Sequence, residues 1–158
     1  MIQGIILSGV TNSGKTSCID TFIKSYLYNN IEYERIYYSP YHNDQNNKKY
    51  FTNDIVIAKR ISDDKIIVII PYGDTEIQIN KYLNIAKTEL QRFQGSINYN
   101  YVIGTSKKKD SSINAYKSVC NKIYWLGTEK SKDITDLEEQ QFIFDCMALA
   151  INNLLGKI

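Results

Sequence analysis

The chain opens with the feature that most constrains its fold. Ile2 to Leu7 is a short apolar run closed by Ser8-Gly9, and a segment with helical spacing follows at once. A run without a polar face has to be covered on both sides, which is the situation of a strand inside a parallel sheet. The helix is expected from Gly14 to about Asn29. Ile19, Phe22, Ile23, Tyr26 and Leu27 recur on one face, and Asn29-Asn30 supply its stop.

The rest of the pattern alternates in the same way. Arg35 to Ser39 reads as a second strand, and the polar stretch from Pro40 to Lys49 as the longest loop. Asp54 to Ile61 and Lys65 to Ile70 are β-branched runs joined through Ser62-Asp63-Asp64, an antiparallel hairpin. Thr75-Glu-Ile-Gln78 has capping-box spacing, and Ile77, Leu83, Ile85, Ala86, Leu90 and Phe93 carry a helical face to Gly95. Tyr99 to Gly104 is a strand, Asp110 to about Val119 a short helix, and Lys122 to Leu126 the last strand. Thr135-Asp-Leu-Glu138 opens a final helix, nearly all apolar from Phe142 to Ile151, that is either buried broadly or forms an interface, such as a homo-oligomer contact. Strands alternating with helices predict one α/β domain over residues 1–158, with a mainly parallel sheet and one antiparallel hairpin strand.

Composition narrows the partners. A length of 158 residues with 43% hydrophobic content is enough for one sizeable core, and a formal net charge of +2 is too small for strong attraction to nucleic acid or an anionic membrane. An anionic ligand must be caught locally. Arg35, Arg60 and Arg92 are the only arginines, so a site needing several bidentate forks is excluded. Cys18, Cys120 and Cys146 are odd in number and widely spaced, which speaks against a paired disulfide scaffold or a structural zinc and fits a reducing cytoplasm. No apolar stretch approaches the ~20 residues of a membrane span, and no export signal is read at the start.

Gly9-Val-Thr-Asn-Ser-Gly-Lys-Thr16 matches Gly-x-x-x-x-Gly-Lys-[Ser/Thr] and lies between the buried strand and the helix start. The glycines let backbone N–H groups turn inward around a phosphate, and the helix N-terminus adds its dipole. Lys15 supplies a point charge for β/γ oxygens, and Thr16 a hydroxyl for magnesium. On this motif the chain resembles the P-loop NTPases, tightly over the first 28 residues and beyond them only by order of elements. The resemblance implies a nucleoside triphosphate, ATP in the first instance, with Mg2+, and a three-layer fold with helices on both faces of the sheet. It implies a phosphate cradle of Gly9, Thr11, Asn12, Ser13, Gly14, Lys15, Thr16 and Ser17.

Members of that family usually hold the magnesium hydration shell with an Asp at the end of a buried strand facing the loop. Here the expected strand ends Ile66-Ile-Val-Ile-Ile-Pro71 with no acid. The GTPase-type Asp-x-x-Gly spacing survives as Ile70-Pro71-Tyr72-Gly73, where Gly73 can offer its N–H to a γ-phosphate. Asp74 is then the best magnesium-side carboxylate, though it reads equally well as an N-cap or first-turn acid of the next helix. Asp63 and Asp64 belong to a turn at the opposite strand end and are expected to be solvated.

Two further tracts leave strands at the carboxyl edge, where open α/β folds bind ligands. In the loop from Pro40 to Lys49, Asp44 is the acid that could position or deprotonate an acceptor hydroxyl, and His42 could be base or ligand; both also read as exposed turn residues. Tyr37, Tyr38 and Tyr41 could stack on a base or sugar. Thr105-Ser106-Lys107-Lys-Lys-Asp110 could cover phosphates or be a solvated charge run. The guanine motif Asn-Lys-x-Asp is absent, since neither Lys107-Lys-Lys-Asp110 nor Asn121-Lys-Ile-Tyr124 fulfils it. Two readings follow: a small Mg-dependent ATPase or small-molecule kinase with Lys15, Asp74 and Asp44 in the chemistry, or a triphosphate-binding switch or assembly module with little turnover of its own.

Overall fold

Eight strands and four α-helices form in a computed structural model that describes residues 1–9, 14–39, 41–43, 51–73, 75–107, 111–128 and 137–158. In chain order they are β1 (Gln3–Gly9), α1 (Lys15–Phe22), β2 (Tyr33–Tyr38), β3 (Tyr41–Asn43), β4 (Phe51–Asn53), β5 (Val56–Arg60), β6 (Lys65–Ile70), α2 (Glu76–Gln94), β7 (Tyr101–Lys107), α3 (Ser112–Val119), β8 (Lys122–Gly127) and α4 (Leu137–Leu155). The six-stranded sheet has the order β2-β5-β6-β7-β1-β8. Strands β6, β7, β1 and β8 run parallel, and β5 alone is reversed, antiparallel to both β6 and β2. The expected α/β domain with a mainly parallel sheet and one antiparallel hairpin strand is what forms.

The apolar opening run behaves as its composition requires. Ile5 and Leu7 join one hydrophobic cluster with Cys18, Ile19 and Phe22 of α1 and Ala148, Ile151 and Leu155 of α4. Ile6 points the other way, into a cluster with Ile79, Leu83 and Leu90 of α2 and Ala115 and Tyr116 of α3. Alternate residues of one strand thus feed two cores, each covered by its own pair of helices. Two asparagines extend the ladder at the strand starts: Asn100 accepts from the Ile66 amide at 2.9 Å and donates its own amide to the Ile66 carbonyl at 2.9 Å. Asn121 does the same for Ile2, at 2.8 Å both ways.

Several boundaries depart from the sequence reading. Helix α1 passes into a π turn over Ile23–Leu27, closed by the Tyr28 amide on the Ile23 carbonyl at 3.0 Å, before the expected stop at Asn29 with φ 56°. The stretch after Pro40 does not begin as irregular chain, because β3 pairs antiparallel with β4 and prolongs the β2–β5 pair as a ribbon. In α2 the inward face is Ile79, Tyr82, Leu83, Ala86 and Leu90; Ile77 is 82% exposed, and Phe93 also faces outward. Ile77 lies about 200° around the helix from Ile79, on the face it shares with Lys81 and Asn84. Helix α4 buries only Ala148, Ile151 and Leu155 and leaves Leu137, Phe142 and Leu149 exposed, so it is not buried broadly.

Two side chains lock the far end of the sheet. The Arg60 guanidinium, paired with Asp63 at 2.7 Å, also donates to the Leu155 carbonyl at 2.9 Å and so holds the last turn of α4. Asp63 and Asp64 occupy the β5–β6 turn as expected, although Asp63 is committed to Arg60, which holds its carboxyl below the usual range. On the other face, Tyr116 of α3 is fully buried with its ring laid on Gly104 of β7; burial pushes its hydroxyl pKa up, and the Thr105 amide beside it acts the other way.

A Cβ at residue 104 would stand 2.6 Å from Cζ of Tyr116, and that ring has no room to retreat. Gly104→Ala should therefore destabilise the fold by about 2–3 kcal/mol, roughly 4–12 °C in Tm. Thermal and urea denaturation check this; an unchanged midpoint would mean that Tyr116 can repack.

Candidate functional site

The carboxyl edge of the sheet brings together the ends of β1, β7 and β8 with the start of α1. Gly14 is the N-cap of α1 and adopts φ 86°, ψ 14°, a left-handed conformation that only glycine takes without strain. Lys15 follows it and is buried, 7% exposed, with Nζ donating to the Gly9 carbonyl at 3.0 Å. A lysine head is thereby fixed at the last residue of β1, beside the amide end of a helix, where the macrodipole is positive. Thr16 and Ser17 lie half-buried in the first turn. Gly9, Gly14, Lys15, Thr16 and Ser17 come together as expected, whereas Thr11, Asn12 and Ser13 lie outside the described residues.

Strand β7 runs alongside β1 in the register Leu7↔Thr105, Ser8↔Ser106, Gly9↔Lys107. Thr105 and Ser106 are buried, and the Ser106 hydroxyl meets that of Ser112, at the start of α3, at 2.9 Å. Thr105 Oγ1 donates to the Gly73 carbonyl at 3.4 Å. On the other side of β1, Thr128 donates both its amide, at 2.8 Å, and its hydroxyl, at 3.3 Å, to the Ser8 carbonyl. Thr128 is a site-edge residue that sequence reasoning missed, and no local signal marks it.

Strand β6, ending at Ile70, is not the neighbour of β1, since β7 lies between them. Ile70 is fully buried in the apolar cluster under α2, and Gly73 packs against Ile79 of that helix. The two readings of Asp74 also separate. The N-cap of α2 is Thr75, whose hydroxyl accepts from the Gln78 amide at 3.2 Å, and the first-turn acid is Glu76. Asp74 itself lies outside the described residues.

The stretch from Pro40 to Lys49 leaves the carboxyl end of β2, as expected, but not beside β1. Strands β5, β6 and β7 intervene, about 19 Å at the usual strand spacing. Asp44 lies outside the described residues. An acid that sequence reasoning passed over is described at this edge: Asp54, just ahead of β5. Its amide donates to Ser39 Oγ at 2.8 Å, and the Tyr82 hydroxyl, pushed up to about 12 chiefly by burial, is hydrogen-bonded to its carboxyl. Asp54 read only as the first residue of a β-branched run.

Cys18, under α1, is pushed up to about 12 by burial and stays a neutral thiol. All three cysteines are free, as the odd count suggested. Among the described residues no helix is long and apolar enough to cross a membrane. No family model and no curated protein sequence matches the chain.

The left-handed φ at Gly14 gives a direct check. Alanine there should cost about 1–2 kcal/mol for the backbone alone, plus displacement of the Phe144 ring, whose Cε1 would lie 2.8 Å from the new Cβ. Gly14→Asn, which tolerates this region better, should lose less stability. Equal losses would assign the cost to Phe144, not to the backbone.

Proposed function

We propose that the chain is a P-loop NTPase that binds a nucleoside triphosphate, ATP in the first instance, with magnesium at the β1–α1 junction and transfers its terminal phosphoryl group. The acceptor is water or a small hydroxyl or phosphate compound bound on the ribbon side of the sheet. The observation that carries this reading is Lys15: a buried lysine whose ammonium is tied to Gly9 O behind a left-handed glycine. Burying a lysine head is costly unless it is paired, and this position serves an anion that the helix N-terminus also favours. Phosphoryl transfer needs positioning and charge stabilisation more than covalent chemistry, so such a cradle supplies most of the required apparatus. The absence of a guanine motif favours ATP over GTP.

Magnesium fits only jointly with phosphate. No group of three or more His, Cys, Asp or Glu among the described residues could hold a metal by itself. An ion held by one hydroxyl, phosphate oxygens and water needs no such cluster. Thr16 would contribute the hydroxyl and Asp74 the carboxylate behind the water shell. The metal, when bound, neutralises charge that develops on the transferring phosphoryl group.

A second reading, a nucleotide-dependent switch or assembly module with slow turnover, rests on Ile70, an apolar, fully buried residue where an acid is expected. Single-turnover measurements separate the two: an enzyme releases phosphate or modifies an acceptor, whereas a switch binds tightly and holds its triphosphate.

Lys15→Ala should weaken Mg·ATP binding at least tenfold in calorimetry while the fold persists. Binding equal to the parent's would remove the triphosphate reading. Asp74→Asn should lower Mg-dependent turnover and leave Tm nearly unchanged, because the cap of α2 belongs to Thr75. Unaltered turnover would leave the site without a metal-side acid and favour the switch.

A further inference from the structure

We propose that Lys107 is a second phosphate-binding cation of the same site and sets its preference for a triphosphate over a diphosphate. This rests on the β1–α1 junction being a nucleotide site and adds to it a residue that the Gly-x-x-x-x-Gly-Lys-[Ser/Thr] motif does not contain.

Two observations place Lys107. The first is register: β7 pairs parallel with β1, and Lys107 is the partner of Gly9. Gly9 is the residue whose carbonyl receives Lys15 Nζ at 3.0 Å. Neighbouring strands lie about 4.8 Å apart, less than the reach of a lysine stem, so both ammonium groups can serve one anion at the end of β1.

The second observation is the face of the sheet. Tyr101 and Ile103 of β7 pack into the cluster shared with α1, and Val102 packs into the opposite one. Gly104 faces Tyr116 of α3, and Ser106 meets Ser112 of α3. The alternation puts Lys107 on the α1 side, where the chain turns at Gly14 and the helix amides begin. Lys107 is only half exposed there, unlike a lysine of a solvated charge run.

These positions also order the phosphates. The helix N-terminus and Lys15 serve the phosphates that tri- and diphosphates share. Among the described residues the β8 side of the edge ends in Gly127 and Thr128, and Thr128 gives its amide and hydroxyl to Ser8 O. On the β7 side it ends in an ammonium. The most highly charged group of the ligand, the terminal phosphate, is therefore drawn over β7 toward Lys107. No step of bond making is assigned to Lys107, which supplies charge and position.

Calorimetry of the full chain with Mg·ATP and Mg·ADP tests this, using the parent, Lys15→Ala, Lys107→Gln and Lys107→Arg. Lys15→Ala should weaken both nucleotides at least tenfold. Lys107→Gln should weaken Mg·ATP about tenfold and Mg·ADP less than twofold, the retained ADP binding showing that the variant is folded. Lys107→Arg should keep ATP affinity within about threefold. Equal losses of ATP and ADP in Lys107→Gln, or no loss of either, would overturn the assignment while leaving the nucleotide site in place. A parent that binds neither nucleotide would overturn both.

Discussion

Strand β1 is hydrogen-bonded on both edges, to β7 and β8, and covered on both faces, by α1 with α4 and by α2 with α3. A backbone so enclosed can satisfy its polar groups only through the two ladders, and its side chains must be apolar on both sides, as Ile5, Ile6 and Leu7 are. The chain can leave such a strand only at its end. It does so at Gly9, and α1 begins behind Gly14, whose φ of 86° only glycine adopts without strain. The geometry of the candidate site is therefore a consequence of burying the central strand. The ammonium of Lys15 and the helix amides come to the strand end because the chain must turn there.

The two helical layers hold this arrangement by different means. On the α1 side, the ring of Phe144 from α4 lies against Gly14 itself, so the terminal helix supports the bend at the site. Its far end is fixed by Arg60 on the Leu155 carbonyl and by Tyr101, whose hydroxyl donates to the Ile158 carbonyl at 2.8 Å. On the α3 side the support is steric: Tyr116 fills the space left by Gly104, and the Ser106–Ser112 pair closes the polar end of that contact. Buried hydroxyls that satisfy one another cost little, and they keep the end of β7 straight beside β1.

What was legible in the sequence was whatever is encoded locally. The hydrophobic run of β1, the hairpin of β5 and β6, the Thr75 cap and the Gly95 stop of α2 each follow from residues within a few positions of one another. Strand order is another matter. Nothing in the period of Tyr101–Lys107 says that it inserts between β6 and β1, because a doubly buried strand has the same pattern at either position. That order sets β7 between Ile70 and β1 and puts Thr105, Ser106 and Lys107 beside the end of β1. Asp54 was overlooked for a related reason. Its importance comes from Tyr82, 28 residues later, and from the edge at which β5 begins.

The insertion also changes the electrostatics of the edge. A carboxylate at the end of the strand next to β1 would attract a metal and repel phosphate, whereas β7 offers two hydroxyls and an ammonium there. Hydroxyls are neutral and, in Ser106 and Ser112, already engaged with each other. They leave the charge of the edge unaltered. With Lys15 on one strand end and Lys107 on the next, the described part of the edge is cationic, and Asp54 stands three strands from β1. Such a surface favours an anion electrostatically without any metal-side acid. On the proposed reading, retention of a triphosphate and its turnover are separable: the first would rest on the β1–α1 junction and β7, the second on the carboxylate that reaches the metal.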